Sequence, residues 1–232
     1  MQVELIRKNI KNVHLRVYPP DGRVVVSAPR LMRESAVRRF VESKLPWIRK
    51  QQGKFIALES EAPREYASGE LHYFLGHQYI LRIVEADRKA RVELEGQYIT
   101  LFIRPGTEKD KKRAVLEHWY RDRLKEILPG IITRYEIIMK VSVSGFGIKR
   151  MRTRWGTCNI ATGRIWINLE LAKRSLLCLE YLVVHEMSHL IERHHNKRFK
   201  SIMDKYLPDW REHKDGLNHF PLCNTESYSR NH

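Results

Sequence analysis

The sequence has 232 residues, of which 42% are hydrophobic and 30% charged, and its net charge is +16. This balance excludes a disordered, collagen-like or coiled-coil protein. No apolar run is long enough to span a membrane, and the N-terminal segment lacks the apolar core of a signal peptide. The 3 cysteines lie far apart without a CxxC pair, which is typical of a reducing compartment. We therefore expect a cytoplasmic protein without a membrane partner.

The first half of the sequence predicts a β-rich N-terminal region, residues 1–105. Two apolar runs, 13–17 and 24–26, flank a turn sequence at 19–22 and predict a hairpin. An apolar stripe over residues 33–52 predicts a helix that Pro46 kinks or breaks. Short strands separated by turn residues are predicted at 71–74, 78–84, 90–94 and 98–103.

The second half predicts a mostly helical region with a small sheet, residues 111–220, after a linker at 104–111. A helix is predicted over 111–138, interrupted at Pro129 and Gly130. Strands are predicted over 141–148 and 164–169, and a loop between them at 157–163. The clearest helix spans 175–193, a last helix spans 197–206, and residues 221–232 form a tail. The fold class is therefore α+β.

Basic residues are spread along the chain, with 43 Lys and Arg against 27 Asp and Glu. They either form solvated faces or bind a polyanion such as nucleic acid or a nucleotide. Two local peaks stand out, one at residues 109–113 and one formed by Lys149, Arg150, Arg152 and Arg154. The second peak contains no acidic residue, which makes it the stronger candidate for a polyanion site.

The helix predicted over 175–193 contains a HExxH sequence, His185-Glu186-Met187-Ser188-His189. Histidines four residues apart lie on one face of a helix, so both imidazoles can bind one metal ion. Glu186 then lies beside the ion without ligating it and can take a proton from water activated by the metal. This pattern indicates a zinc hydrolase. The alternatives are a surface helix with unrelated histidines and a similar site without metal.

A third histidine is needed to complete an open zinc site. His195 follows His189 by six positions, which matches the second and third ligands of the longer HExxHxxGxxH motif. The glycine that makes the turn in that motif is Glu192 here, so the chain must turn by other means. His194 is the rival third ligand on the residues alone.

Five segments of the sequence carry a family resemblance: 154–158, 163–168, 181–190, 195–199 and 207–210. They resemble the YgjP-like metallopeptidase-domain family, a group of predicted metal-dependent hydrolases with RWGSC, YVVVHELAHL, NHSxxFW and LPD segments at the same spacings. Small departures occur at Thr157, His194, Asn196 and Lys200, and none removes a ligand. The N-terminal half also resembles the family's opening hairpin. More distantly, the C-terminal half is similar to SprT-like and Wss1-like proteases.

The resemblance implies a zincin-like fold in which His185, His189 and His195 bind the metal and Glu186 is catalytic. The family histidine falls on His195, which favours it over His194. The resemblance also implies that the strand at 164–169 lies beside the helix at 175–193 that carries the HExxH sequence. An exposed strand edge there would suit an extended peptide.

Three further side chains are candidates for substrate binding. Arg154 and Arg198 can bind a carboxylate or phosphate, although Arg154 can equally form a buried ion pair. Tyr181 lies one helical turn before His185 and can either stabilise an oxyanion or pack in the core.

Three functions follow from these residues. The first is a zinc metallopeptidase with one Zn²⁺ per chain, Mn²⁺ being possible, that acts on a peptide or protein. The second is a metal-dependent hydrolase of nucleotides or other phosphoanhydrides. The third is a basic nucleic-acid-associated module with a structural metal, although such sites are normally closed by four protein ligands.

Overall fold

The computed structural model describes residues 3–18, 22–59, 64–151 and 153–218, and it divides the chain into two compact units whose boundary lies between residues 63 and 64. The predicted tail at 221–232 lies outside the described residues. The division falls nearer the N-terminus than the linker predicted at 104–111. The fold class is α+β, as the sequence predicts.

The N-terminal unit is a three-stranded sheet with two helices. Its strands are β1 (Val3–Lys8), β2 (His14–Tyr18) and β3 (Arg23–Pro29), in the order β1-β3-β2. The antiparallel pair β2–β3 is the predicted hairpin, whereas the parallel pair β1–β3 was not predicted. The helices are α1 (Glu34–Ser43) and α2 (Leu45–Glu59), so the predicted helix breaks just before Pro46. Val26, Ala28 and Val37 form the core of this unit.

The second unit begins with a four-stranded sheet in the order β4-β5-β7-β6. Its strands lie where the sequence predicts them: β4 (Leu71–Phe74), β5 (His77–Glu85), β6 (Arg91–Glu95) and β7 (Tyr98–Ile103). The sheet turns between β4 and β5 at Gly76, whose φ of +85° suits glycine. A Cβ there would also lie 3.1 Å from the Cα of Ser175, so the turn packs closely against that residue.

A long helix, α3 (Lys109–Met139), follows and packs its buried side chains into the same core. The predicted interruption at Pro129 and Gly130 is wrong, because the helix is continuous. Proline removes the amide that would bond to the carbonyl of Lys125. Both Pro129 and Lys125 are exposed, so water can bond to that carbonyl while the opposite face of α3 stays packed.

The rest of the chain forms a second small sheet and three helices. The strands are β8 (Gly145–Lys149), β9 (Gly156–Asn159) and β10 (Arg164–Asn168), in the order β8-β10-β9, with a short 3-10 helix at Leu169–Lys173. The helices are α4 (Leu176–Ser188), α5 (Lys197–Tyr206) and α6 (Trp210–Asn218). Most of β9 lies in the loop predicted at 157–163, and α6 was not predicted. The strand predicted at 141–148 is shorter and begins at Gly145.

None of the helices in the described part of the chain is both long and apolar enough to cross a membrane. Apart from Leu176 and Leu177 in its first turn, which are exposed, the apolar residues of α4 are buried in the core of the second unit. This burial anchors α4 as the central support of the residues that follow it.

Candidate metal centre

Three histidines converge at the C-terminal end of α4. His185 lies in the last turn of the helix, His189 is its C-cap residue and His195 precedes α5. One potential ligand atom from each residue lies within 4.8 Å of the other two. The Nε2 atoms of His185 and His195 are 3.0 Å apart. The structure therefore brings together the three histidines that the sequence analysis selects, in an arrangement compact enough for one ion.

The turn between His189 and His195 is made without the glycine of the longer motif. The helix ends at Ser188, five residues earlier than predicted, and Glu192 donates its amide to the Ser188 carbonyl at 2.9 Å. The carboxylate of Glu192 accepts the amide of His194 at 3.1 Å. Asn196 then caps α5 by accepting the amide of Phe199 at 3.0 Å. His194 is exposed and is not a member of the cluster.

Phe199 is the packing partner of all three histidines. Its ring centroid lies 5.0 Å from that of His185, 4.8 Å from that of His189 and 4.7 Å from that of His195. Phe199 is itself buried on α5. A rigid apolar ring on one side limits the rotation of the imidazoles, which helps to hold them ready for a ligand. Phe199 lies in the family-like segment 195–199, but no role was predicted for it.

All three imidazoles are neutral at pH 7. Burial, together with the neighbouring His189 and His195, lowers the pKa of His185 to about 3. Burial also lowers the pKa of His189 and that of His195. The Nδ1 of His189 lies 3.2 Å from the carbonyl of Glu192, an arrangement in which Nδ1–H donates and Nε2 keeps its lone pair. Neutral imidazole nitrogens that converge in this way fit a borderline cation such as Zn²⁺.

Glu186 is a buried carboxyl group next to this cluster, with 4% of its surface exposed. Burial raises its pKa to about 8, and the positive charge of Arg154 opposes that rise. The carboxyl group lies against the backbone of Gly156 at the start of β9. A Cβ added there would be 2.7 Å from Oε1 of Glu186 and 3.0 Å from its Cγ. Gly156 therefore makes the space that Glu186 occupies, a role that the sequence analysis did not predict.

A cavity of about 600 Å³ opens onto the histidines and Glu186. Of the three predicted substrate-binding residues, Arg154 and Tyr181 line it. Arg198 does not line it and instead lies 4.0 Å from the carboxylate of Glu192. Two further cations, Arg193 and Lys214, line the cavity and were missed by the sequence analysis. Lys214 belongs to α6, which was not predicted.

Tyr181 is both a core residue and part of the cavity wall. Its ring stacks on Trp210 with centroids 6.4 Å apart and lies 5.7 Å from the ring of His185. Burial raises the pKa of the phenol, and the negative charge of Glu186 raises it further. The hydroxyl is therefore protonated at neutral pH and can donate a hydrogen bond.

The basic cluster of residues 149–154 does not act as one surface. Arg154 lines the cavity, whereas Arg150 is paired with Glu117 at 3.1 Å. The Lys149 amine lies 4.5 Å from the ring centroid of Trp166. Arg152 lies outside the described residues. Nucleic-acid binding through this cluster stays a prediction.

Cys158 also lines the cavity, on β9. Burial raises the pKa of its thiol to about 11, with a further contribution from Glu186, so the thiol is protonated at neutral pH.

The class of protein follows from this arrangement and from a family match. Histidines one helical turn apart, a third histidine nearby and a carboxyl group in a shared cavity are typical of a metal-dependent hydrolase. A family described as YgjP-like, metallopeptidase domain, matches residues 11–220. The chain therefore belongs to the YgjP-like metallopeptidase-domain family, and a metal cofactor is expected of its members.

Two other similarities are more limited. The chain is 40% identical over 57 residues to protein transport protein SEC61 subunit alpha of Debaryomyces hansenii, which is 25% of this chain and 12% of that protein's length. The metallopeptidase zymogen of Methanocaldococcus jannaschii jannalysin, known from a crystal structure, is 18% identical and has a TM-score of 0.35. That alignment covers 39% of this chain and 92% of the jannalysin chain.

Proposed function

We propose that the chain is a zinc-dependent peptidase in which His185, His189 and His195 hold one Zn²⁺ and Glu186 is the general base. The observation that carries this proposal is the convergence of three neutral imidazoles and one buried carboxyl group on a single cavity. Membership of a metallopeptidase-domain family supports the reaction class. Mn²⁺ is the alternative ion, because imidazole nitrogen also binds other first-row metals.

Each group has a separate task in the proposed reaction. The three imidazoles would hold Zn²⁺, which would supply Lewis-acid chemistry: polarisation of the substrate carbonyl and a lower pKa of water. Glu186 accepts a proton from that water and then delivers it to the leaving amine. Because burial favours its protonated form, Glu186 needs positive charge nearby to act as a base, and Arg154 supplies part of it. Tyr181 can donate a hydrogen bond to the developing oxyanion.

The substrate is proposed to be an extended peptide bound along β9. The strand at 164–169, which was predicted to have an exposed edge, is β10, and it is the central strand of its sheet. Its edges are therefore occupied by β8 and β9. Among the described strands β9 pairs only with β10, so its other edge has unpaired backbone groups. Residues 156–158 of β9 line the cavity. Backbone pairing on this edge would hold a peptide beside the metal centre.

Two alternatives have weaker support. A nucleotide hydrolase is favoured by Arg154, Arg193 and Lys214 in the cavity wall. Such enzymes usually hold Mg²⁺ through carboxylates, and Glu186 is the one carboxylate among the lining residues. A structural metal module would need a fourth protein ligand, and the cluster found among the described residues has three. A cytoplasmic location is part of the proposal, because Cys158 and Cys178 are free thiols.

The test is an activity screen with a matched active-site variant. Purified protein is incubated with peptides, proteins and nucleoside triphosphates in the presence of Zn²⁺, Mn²⁺ or Mg²⁺. Glu186→Gln keeps the size of the side chain but cannot accept a proton, so we expect a rate loss of about 10²- to 10⁴-fold. The variant should stay folded and keep its metal. Activity that survives Glu186→Gln would show that another group or a contaminant is responsible.

Metal content tests the ligand set separately. Elemental analysis of protein purified without chelator should give about one Zn²⁺ per chain. His185→Ala and His189→Ala should lose the ion, and His195→Ala should bind it more weakly. His194→Ala is the matched control because this neighbouring histidine is exposed and outside the cluster. Loss of metal from His194→Ala alone would contradict the assignment of the third ligand.

A further inference from the structure

The wall of the cavity carries more positive charge than the proposed reaction uses. Arg154, Arg193 and Lys214 line it, whereas Glu186 is the one acidic residue in the lining. Among the described residues, none of these three cations has a carboxylate within 4.0 Å. Elsewhere in the same unit several cations are paired in that way, as Lys109 is with Glu65 at 2.8 Å. The cavity therefore offers unpaired positive charge to whatever enters it.

Arg154 is attached to a fixed part of the backbone. The buried amide group of Asn168 donates to the Arg154 carbonyl at 2.7 Å and to the Met151 carbonyl at 2.8 Å. The Asn168 backbone amide also donates to the carbonyl of Trp155 at 2.8 Å. These bonds hold the segment that carries Arg154 next to β10. Arg154 lines the cavity together with Glu186.

Lys214 approaches the metal centre from a different element. It lies on α6 with its amine 5.5 Å from the ring centroid of Trp210. Trp210 is held in turn by its indole N–H, which donates to Asp204 at 2.8 Å, and by stacking on Tyr181. Lys214 lines the same cavity as His185 and His195. The cavity wall therefore carries positive side chains from two separate parts of the chain, Arg154 before β9 and Lys214 on α6.

We infer that these cations make the cavity selective for peptides that present a carboxylate close to the bond being cleaved. The inference rests on the proposed peptidase function and adds the class of peptide. Carboxylates form strong charge-assisted hydrogen bonds with Arg and Lys, and a basic segment in the same cavity would be repelled. The carboxylate can come from an acidic side chain or from the C-terminus of the peptide, and the two sources have the same chemistry.

The experiment compares peptides that differ only in charge. One quenched fluorescent peptide that the protein cleaves is made with Glu, Gln or Lys at each position flanking the cleaved bond. Each version is made with a free C-terminal acid and with an amide. We expect kcat/KM to rise about tenfold from Gln to Glu or from amide to acid, and to fall for Lys. The preference should weaken as salt screens the charges.

Charge reversal in the protein identifies the residue responsible. Lys214→Glu should remove the preference for Glu and improve cleavage of the Lys peptide, with a smaller effect on the Gln peptide. Lys89→Glu is the matched control, because it changes the net charge equally at an exposed lysine outside the lining. Binding of the uncleaved peptides to metal-loaded Glu186→Gln protein, followed by fluorescence anisotropy, gives the same comparison without turnover.

The outcomes separate this inference from the proposed function. Equal kcat/KM for Glu, Gln and Lys peptides, with all turnover lost in Glu186→Gln, would overturn the selectivity and leave the peptidase function standing. A preference that Lys214→Glu and Lys89→Glu reduce equally would reflect net charge and would also overturn it. Turnover of nucleotides without turnover of any peptide would overturn both proposals.

Discussion

Substitution of Gly156 by alanine should separate the general base from the metal. The new Cβ would lie 2.7 Å from Oε1 of Glu186 and 3.0 Å from both Cγ of Glu186 and Cδ2 of Leu182. To reach ordinary contact at 3.4 Å, the carboxyl oxygen must move by about 0.7 Å. Leu182 is buried on α4 and has little room to move, so the Glu186 side chain is expected to give way.

The expected result is a lower kcat with unchanged metal content. A displacement of about 1 Å in a reacting group can cost about a hundredfold in rate, so we expect Gly156→Ala to lose between about 10- and 100-fold. KM should change less, because the cations of the cavity wall keep their places. Steady-state kinetics on a cleaved peptide and elemental analysis of the same sample measure the two quantities.

Gly130→Ala is the matched control. Apart from the adjoining backbone of α3 itself, no atom of the described residues lies within 4 Å of a Cβ at this position, so the change should leave kcat unaltered. In the helix it should raise the free energy of unfolding by about 0.5–1 kcal/mol. Wild-type kcat in Gly156→Ala would refute the positioning of Glu186 by Gly156. Loss of metal together with activity would show that the strain reaches His185 instead.

Three further predictions concern pH and stability. If the three imidazoles had a pKa near 6.5, their protonation would weaken Zn²⁺ binding about a thousandfold between pH 8 and 5.5. Because their pKa values are lowered, we expect a loss of less than about a hundredfold. Competition with a chelator measures it. His72 is buried, and desolvation lowers its pKa from 6.5 to about 4, so the unfolded chain binds a proton first as the pH falls. The free energy of unfolding should therefore drop by about 2–3 kcal/mol between pH 7.5 and 4.5 on account of His72, and urea titrations of wild type and His72→Gln should converge over that range. Asn168→Asp should lower the free energy of unfolding by more than about 2 kcal/mol, because a carboxylate oxygen would replace the amide group that donates to the carbonyls of Met151 and Arg154. A melting temperature within the error of wild type would contradict this.

The sequence predicts that the histidines cluster because their pattern is local. Residues four apart on a helix share a face whatever the rest of the fold does, so His185 and His189 follow directly from their spacing. His195 depends on a turn whose hydrogen bonds come from Glu192 and Asn196, and no short-range rule indicates them. That choice needed the family resemblance. The four strands β4 to β7 were predicted because turn residues separate their apolar runs.

The elements that were missed depend on long-range partners. β9 is short, and it is a strand because it pairs with β10 across a turn at Gly163. β1 pairs in parallel with β3, which no turn sequence between them can indicate. The break predicted in α3 failed because a proline on an exposed face costs less than the loss of the packed face opposite. Gly156 and Lys214 lie on two of these missed or shortened elements, so their contacts with the site could not be predicted.

The three histidines all come from one stretch of eleven residues, 185–195, whereas Gly156, Arg154 and Lys214 come from segments well before and after it. Substitutions can therefore alter the cavity wall without changing the three histidines, and substitutions of the histidines can leave most of the cavity wall unchanged. Proteins with this arrangement can therefore differ in their substrates while they keep the same histidines. Directed evolution of a new cleavage preference should accordingly accumulate changes in residues 154–160, at Arg193 and along α6, and leave the three histidines and Glu186 unchanged.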